Sequence, residues 1–215
     1  IGSYIRLSLL GTGAMGEVWK SYDWRLRRWV ALKILKHRDR DEIERFRREA
    51  QAAAQIHHPN IAVIYESGEI DSVPYIAMQL VRGRDLLSFP KVDRKLLVRL
   101  VRDAALAVHE AHRKRIVHRD LKPSNLMVED GDPPRVFVTD FGLAKRMEGL
   151  SSLTVSGLIL GTPMYMSPEQ ARGSVAEVGP RSDVYSLGAT LFELLAGQPP
   201  FRSGDLYNLL TQVLE

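Results

Sequence analysis

The spacing of apolar and polar positions changes character along the chain, and the change predicts two lobes. Near the start, Ile5-Arg6-Leu7-Ser8-Leu9 alternates with the two-residue period of a half-buried strand. A glycine-rich turn follows from Gly11 to Gly16, and extended character resumes at Val18-Trp19-Lys20-Ser21-Tyr22, so the segment reads as a hairpin with a glycine-rich tip. Trp29-Val30-Ala31-Leu32-Lys33-Ile34 is a third strand, apolar except for one lysine. A charged stretch then leads into a helix predicted over residues 42–56, limited by Pro59. Runs at 61–65 and 74–79 complete a small sheet, and Val81-Arg82-Gly83-Arg84 reads as a crossing segment. Beyond it the period becomes helical: Leu96, Leu97, Leu100, Val101, Ala104, Ala105 and Val108 form one stripe, and Val184, Leu187, Leu191, Leu194 and Leu195 form another. This pattern predicts an α+β architecture. A strand-rich lobe over 1–80 is joined to a mostly helical lobe over 81–215, with a cleft between them.

Composition narrows the classes of function without choosing one. With 215 residues, 45% hydrophobic and 26% charged, the chain can bury a sizeable core, so disorder throughout is excluded. The net charge of +4 could suit a polyanion. However, the basic clusters at Arg25, Arg27 and Arg28, at Arg45, Arg47 and Arg48, and at Arg113, Lys114 and Arg115 are scattered among acids and have no interleaved stacking aromatics. They read as solvated faces, and no nucleic-acid partner is expected. The absence of cysteine excludes a disulfide framework and a thiolate metal site and suits a cytoplasmic setting. No apolar run within these residues reaches membrane-spanning length.

Three segments carry chemistry. Gly11-Thr12-Gly13-Ala14-Met15-Gly16-Glu17-Val18 fits G-x-G-x-x-G-x-V, in which glycines let backbone N–H groups approach phosphate oxygens with no Cβ in the way. A Rossmann turn would continue as helix, whereas Val18 continues as strand. A lysine inside an apolar strand calls for an anionic partner, so a phosphate together with Glu49 on the next helix would account for Lys33. His118-Arg119-Asp120-Leu121-Lys122-Pro123-Ser124-Asn125 gathers a carboxylate, an ammonium and a carboxamide in one turn, an order of residue types that no structural need dictates. Asp140-Phe141-Gly142 adds a second acid at a glycine turn.

In this order the motifs resemble the eukaryotic-type serine/threonine protein kinases, with Ser167-Pro168-Glu169 in the place of A-P-E. The run from Gly161 to Gln170 is especially similar to bacterial members. The resemblance implies a bilobal kinase-like fold and transfer of the γ-phosphate of ATP to serine or threonine hydroxyls of proteins, with Mg²⁺ as the cation and Mn²⁺ as an alternative. Gly11, Gly13 and Gly16 would cover the nucleotide. Lys33 would contact its phosphates and be held by Glu49, while Val18, Ala31 and Met127 sandwich the base. Met78 would be the gatekeeper before a hinge of Gln79, Leu80 and Val81. Asn125 and Asp140 would take the metal. Asp120 would orient the acceptor hydroxyl and Lys122 neutralise the transferred group, and Lys122 with Thr162 is the serine/threonine pattern. Asp183 would brace the catalytic loop. Arg119 would receive a phosphorylated residue of the activation segment, for which Thr154 and Ser156 are the candidates among Ser151, Ser152, Thr154 and Ser156. The resemblance also implies self-association as homodimers. The family pattern departs in two places. Helices expected after residue 214, with an arginine to pair with Glu169, are absent, so the second lobe reads as truncated. The linker between Lys33 and Glu49 is short, which can reposition the helix carrying Glu49 and hence its ion pair.

Overall fold

The computed structural model describes residues 2–13, 16–36, 40–89, 93–141 and 163–215. Five antiparallel strands in the order β1-β2-β3-β5-β4 build the first lobe: β1 (Tyr4–Gly13), β2 (Gly16–Asp23), β3 (Arg28–Leu35), β4 (Ile64–Ile70) and β5 (Val73–Gln79). Their alternation places Val30, Leu32 and Ile34 of β3 against Tyr4, Tyr75 and Ala77 as a buried layer. The opposite face, by register, carries Val18, Ala31 and Lys33. Helix α1 (Arg40–Ala53) buries Phe46 and Ala50 against Leu35 and Ile76.

One correction concerns residues 61–65, where the apolar run predicts a sheet strand. The fourth strand begins instead at Ile64, and Ile61 forms a parallel bridge to Val138 in the second lobe. Ala62 N–H donates to the Val138 carbonyl at 3.0 Å, and Val138 N–H donates to the Asn60 carbonyl at 2.8 Å. Ile61 is apolar because it enters the core shared by the lobes, where it joins Ala53, Ile56 and Phe141. Helix α1 likewise stops at Ala53, short of 56, and leaves Ile56 free to turn into that core.

The second lobe is built on α2 (Arg94–Arg113), whose buried stripe of Leu100, Val101, Ala104, Ala107, Val108 and Ala111 follows the helical period seen in the sequence. Each large apolar side chain so buried contributes roughly 1.5–3 kcal/mol. A three-stranded antiparallel sheet of β6 (Gly83–Asp85), β7 (Leu126–Glu129) and β8 (Arg135–Val138) lies over it. Gly83 is required there, since a Cβ would come within 1.8 Å of the Val128 carbonyl oxygen. Short helix α3 (Pro168–Ala171) precedes α4 (Pro180–Ala196) and α5 (Leu206–Leu214). Pro180 opens α4, and Gly197, left-handed at φ 80°, ends it. Among the described residues no helix is long and apolar enough to cross a membrane.

Candidate active site

The catalytic segment lies between the end of α2 and β7, and a buried carboxylate sets its backbone. Asp183, in the first turn of α4, has no solvent exposure. Its Oδ1 accepts the Arg119 N–H at 2.8 Å, and its Oδ2 accepts the His118 N–H at 2.8 Å and meets His112 Nε2 at 2.7 Å. These bonds hold Arg119 at φ 68°, a left-handed conformation that a non-glycine residue keeps only when its surroundings impose it. Gln170, the third residue of α3, adds a bond from Nε2 to the Arg119 carbonyl at 2.7 Å, and its Oε1 accepts the Ser167 N–H in a capping box. The brace by Asp183 follows the resemblance. His112 and Gln170 are additions that the sequence reading missed. The only signal for His112 is a basic residue in the last turn of the helix that leads into the loop.

On this frame the polar side chains converge. His118 is buried, accepts the Asp120 N–H on Nδ1 at 3.3 Å and reaches the Thr139 carbonyl from Nε2 at 2.8 Å, which sets the neutral tautomer protonated on Nε2. Its ring packs against Phe141 with centroids 4.7 Å apart. Asp120 Oδ2 accepts from Lys122 Nζ at 2.8 Å and from Asn125 Nδ2 at 3.1 Å, and Asn125 Nδ2 also reaches the Asp120 carbonyl at 2.7 Å. Among the described residues this leaves Asp120 Oδ1 and Asn125 Oδ1 as acceptors without a donor. The short 3₁₀ turn Pro123–Asn125 places Asn125 directly before β7.

Lys33 corrects an expectation. Its ammonium donates to Asp140 Oδ1 at 2.7 Å and makes no ion pair with Glu49. The reason is positional: α1 leaves Glu49 in a half-buried place where Arg119 acts on it more strongly than Arg45, and Arg45 more strongly than Lys33. Burial, the largest single influence, opposes ionisation of Asp140, but Lys33 beside it and the other basic groups nearby together hold the carboxyl below its ordinary value. Asp140, at φ 59°, is a second left-handed non-glycine residue at the site.

Burial pushes the Glu49 carboxyl up to about 7, although Arg119, Arg45 and Lys33 each pull it down. A folded-state pKa above the ordinary carboxyl value means that the stability tied to protonated Glu49 is complete at low pH and is lost as pH rises through about 7. Melting of the chain is therefore expected to fall between about pH 5 and about pH 8 relative to Glu49→Gln. Parallel melting curves for the two proteins across that range would contradict this placement of Glu49.

The nucleotide cradle is partly shown. Gly11 and Gly13 have nothing within 4 Å of where a Cβ would stand, so space lies open beside both. Gly16 is different, because a Cβ there would sit 1.9 Å from the Ile34 carbonyl oxygen and close the β2–β3 approach. Val18 pairs with Lys33, and Ala31 with Met78. Met127 packs against Val81, Ala62 and Phe137 below them. Gln79 N–H donates to the Val63 carbonyl at 2.8 Å, and its Oε1 accepts the Val63 N–H at 3.3 Å, so the side chain faces the 62–63 segment. Open space beside glycine backbone, a lysine and the oxygen-bearing pair Asn125 and Asp140 fit a nucleotide triphosphate with a hard divalent cation. Among the described residues no cluster of three His, Cys, Asp or Glu could hold a metal by itself.

Arg119 Nε is buried without a hydrogen-bond partner among the described residues. Thr154, Ser156, Thr162 and Gly142 lie outside the described residues. Glu169, expected to face an arginine, accepts the hydroxyl of Ser182 here.

A two-lobed fold with these groups at its cleft is the architecture of a protein kinase domain, and the comparisons agree. The protein kinase domain model matches residues 4–214, and the chain belongs to that family. It is 42% identical over 204 residues to the serine/threonine-protein kinase PknB of Mycobacterium leprae, covering 90% of this chain and 32% of that protein. It is 39% identical over 220 residues to the serine/threonine-protein kinase pkn3 of Myxococcus xanthus, covering 96% of this chain and 40% of that protein. The chain thus spans about one third of the length of the PknB relatives it matches. The solved kinase domain of PknI from Mycobacterium tuberculosis superposes with a TM-score of 0.71 at 29% identity, over 99% of this chain and 88% of that one.

Proposed function

We propose that this chain is the catalytic domain of a serine/threonine protein kinase that uses ATP and Mg²⁺ and phosphorylates its own activation segment. The observation that carries the reading is the Asp120 carboxylate. Lys122 and Asn125 fix one of its oxygens while the other stays free beside the cleft that holds Lys33 and Asp140. When bound, Mg²⁺·ATP supplies the phosphoryl group and the charge that neutralises it. The chain's own residues do the rest. Asp120 Oδ1 orients the acceptor hydroxyl and takes up its proton, and Lys122 offsets charge on the transferred oxygens. Asn125 Oδ1 and the Asp140 carboxylate present oxygen ligands to the cation. With its carboxylate engaged there, Asp140 would no longer hold Lys33, whose ammonium would be available to the phosphates. Arg119, with its buried Nε unpartnered, is suited to a phosphorylated residue such as Thr154 or Ser156. The absence of cysteine suits an ATP-containing, reducing cytoplasm. By similarity to the bacterial relatives, a homodimer is the form in which one copy would act on another.

The test is transfer of labelled γ-phosphate to the chain itself and to a generic basic protein, followed by phosphopeptide mapping. Label on serine or threonine, with sites at Thr154 and Ser156, is the expected result. Nucleotide binding without any transfer would overturn the reading in favour of a binding module.

A further inference from the structure

We propose that Gln170 is a positioning residue for phosphoryl transfer: its side-chain amide clamps the Arg119–Asp120 peptide and so aims the Asp120 carboxylate. This rests on the reading of Asp120 as the group that orients the acceptor hydroxyl. The backbone around Asp120 is held from several elements at once. Asp183 of α4 accepts the N–H groups of His118 and Arg119, each at 2.8 Å. Asn125 Nδ2 donates to the Asp120 carbonyl at 2.7 Å. Between them lies the peptide unit made of the Arg119 carbonyl and the Asp120 N–H. Its N–H reaches His118 Nδ1 at 3.3 Å, the longest of these bonds, whereas its carbonyl accepts from Gln170 Nε2 at 2.7 Å. The plane of that peptide forms one side of the Asp120 φ dihedral, so its tilt sets the direction in which the carboxylate leaves the backbone. It also adjoins Arg119 at φ 68°, a conformation with no intrinsic preference to restore the tilt once lost. Gln170 is therefore the tighter of the two restraints on the peptide that carries Asp120.

The clamp is itself held in place. Gln170 Oε1 accepts the Ser167 N–H at 3.1 Å and the Ser167 hydroxyl at 3.2 Å, and this fixes the amide orientation. Turned over, the amide would set its NH₂ against the Ser167 N–H and its oxygen against the Arg119 carbonyl. Helix α3 is anchored on two sides: Ala171 packs on Leu210 and Val213 of α5, and Glu169 accepts the Ser182 hydroxyl of α4. A side chain with one end tied to the helix cap and a helix so anchored loses little further entropy in holding the catalytic loop.

Helix capping alone does not account for a glutamine here. A capping box needs only an acceptor three residues after the serine, and glutamate supplies one equally well. The donor half of the amide is surplus to the cap and is used on the Arg119 carbonyl. Glutamate at 170 would keep the cap and turn a carboxylate oxygen toward that carbonyl oxygen, so the two roles of the side chain separate by substitution.

The experiment compares Gln170→Glu, Gln170→Met and Ser167→Ala with the unaltered chain in steady-state transfer to a generic basic protein, with melting temperature and amide exchange over residues 118–121 followed in parallel. Gln170→Glu and the uncharged Gln170→Met should each lower kcat about thirtyfold while KM for ATP stays within about threefold. Exchange over 118–121 should quicken in both. Ser167→Ala, which weakens the cap and leaves the Arg119 carbonyl bonded, should lower the melting temperature and keep kcat within about twofold. An unchanged kcat in Gln170→Met would overturn the proposal, as would a fall in Gln170→Glu alone, which would assign the effect to the added charge. A fall of the same size in Ser167→Ala would reduce Gln170 to a helix cap. Transfer by the unaltered chain is the separate check on the kinase reading: if it transfers nothing, that reading fails, and unchanged exchange over 118–121 in Gln170→Met would still overturn the clamp by itself.

Discussion

Replacing Asp120 with asparagine is expected to lower phosphoryl transfer about a thousandfold while leaving nucleotide affinity within about threefold. The asymmetry follows from where Asp120 stands. It touches Lys122 and Asn125, and no described contact ties it to Lys33, Asp140 or the glycine turn that would hold the nucleotide. An amide can keep a hydrogen bond to the acceptor hydroxyl but cannot take its proton, so the loss should appear in kcat and hardly at all in nucleotide binding. Single-turnover transfer and nucleotide titration of the same preparation separate the two. A fall in nucleotide affinity as large as the fall in kcat would place Asp120 in the binding site and remove it from the reacting centre.

Asp183→Ala is expected to have the largest effect on stability, about 3–5 kcal/mol. The substitution leaves the buried N–H groups of His118 and Arg119 and the His112 ring without their common acceptor. It also removes what holds Arg119 at φ 68°, so the loop should relax and transfer should fall even under conditions where the chain stays folded. Asp183→Asn keeps the shape and one acceptor oxygen, so it should be less destabilising and still impaired in transfer. Urea titration followed by circular dichroism reads the first effect, and a midpoint shift at constant slope assigns it to stability. A loss below about 1 kcal/mol for the alanine variant would mean that the three bonds contribute little net stability.

The catalytic groups were legible because each sits in a short run whose order of residue types is unusual. Asp120, Lys122 and Asn125 span one turn, and the structure brings them together with hydrogen bonds between neighbours two and five positions apart. The lobes were legible because strand and helix periods differ, and β2, β3, α2 and α4 lie close to where those periods put them. The run at 61–65 misled for a definite reason. A short apolar segment has the same pattern whether it enters a sheet or a core between lobes, and Ile61 does the latter.

Sequence alone therefore determined the two-lobed plan, the glycine turn and the membership of the catalytic loop, since all of these are written in residue types a few positions apart. Tertiary structure decided the pairings that span the chain. Lys33 meets Asp140 across 107 positions and leaves Glu49 with Arg119 as its strongest neighbour, while His112 joins Asp183 across 71. Which carboxylate a buried cation meets depends on where packing sets α1 relative to the catalytic loop. Ion-pair energy falls off within a few ångströms, so a shift of one helix changes the partner without any change in the residues themselves.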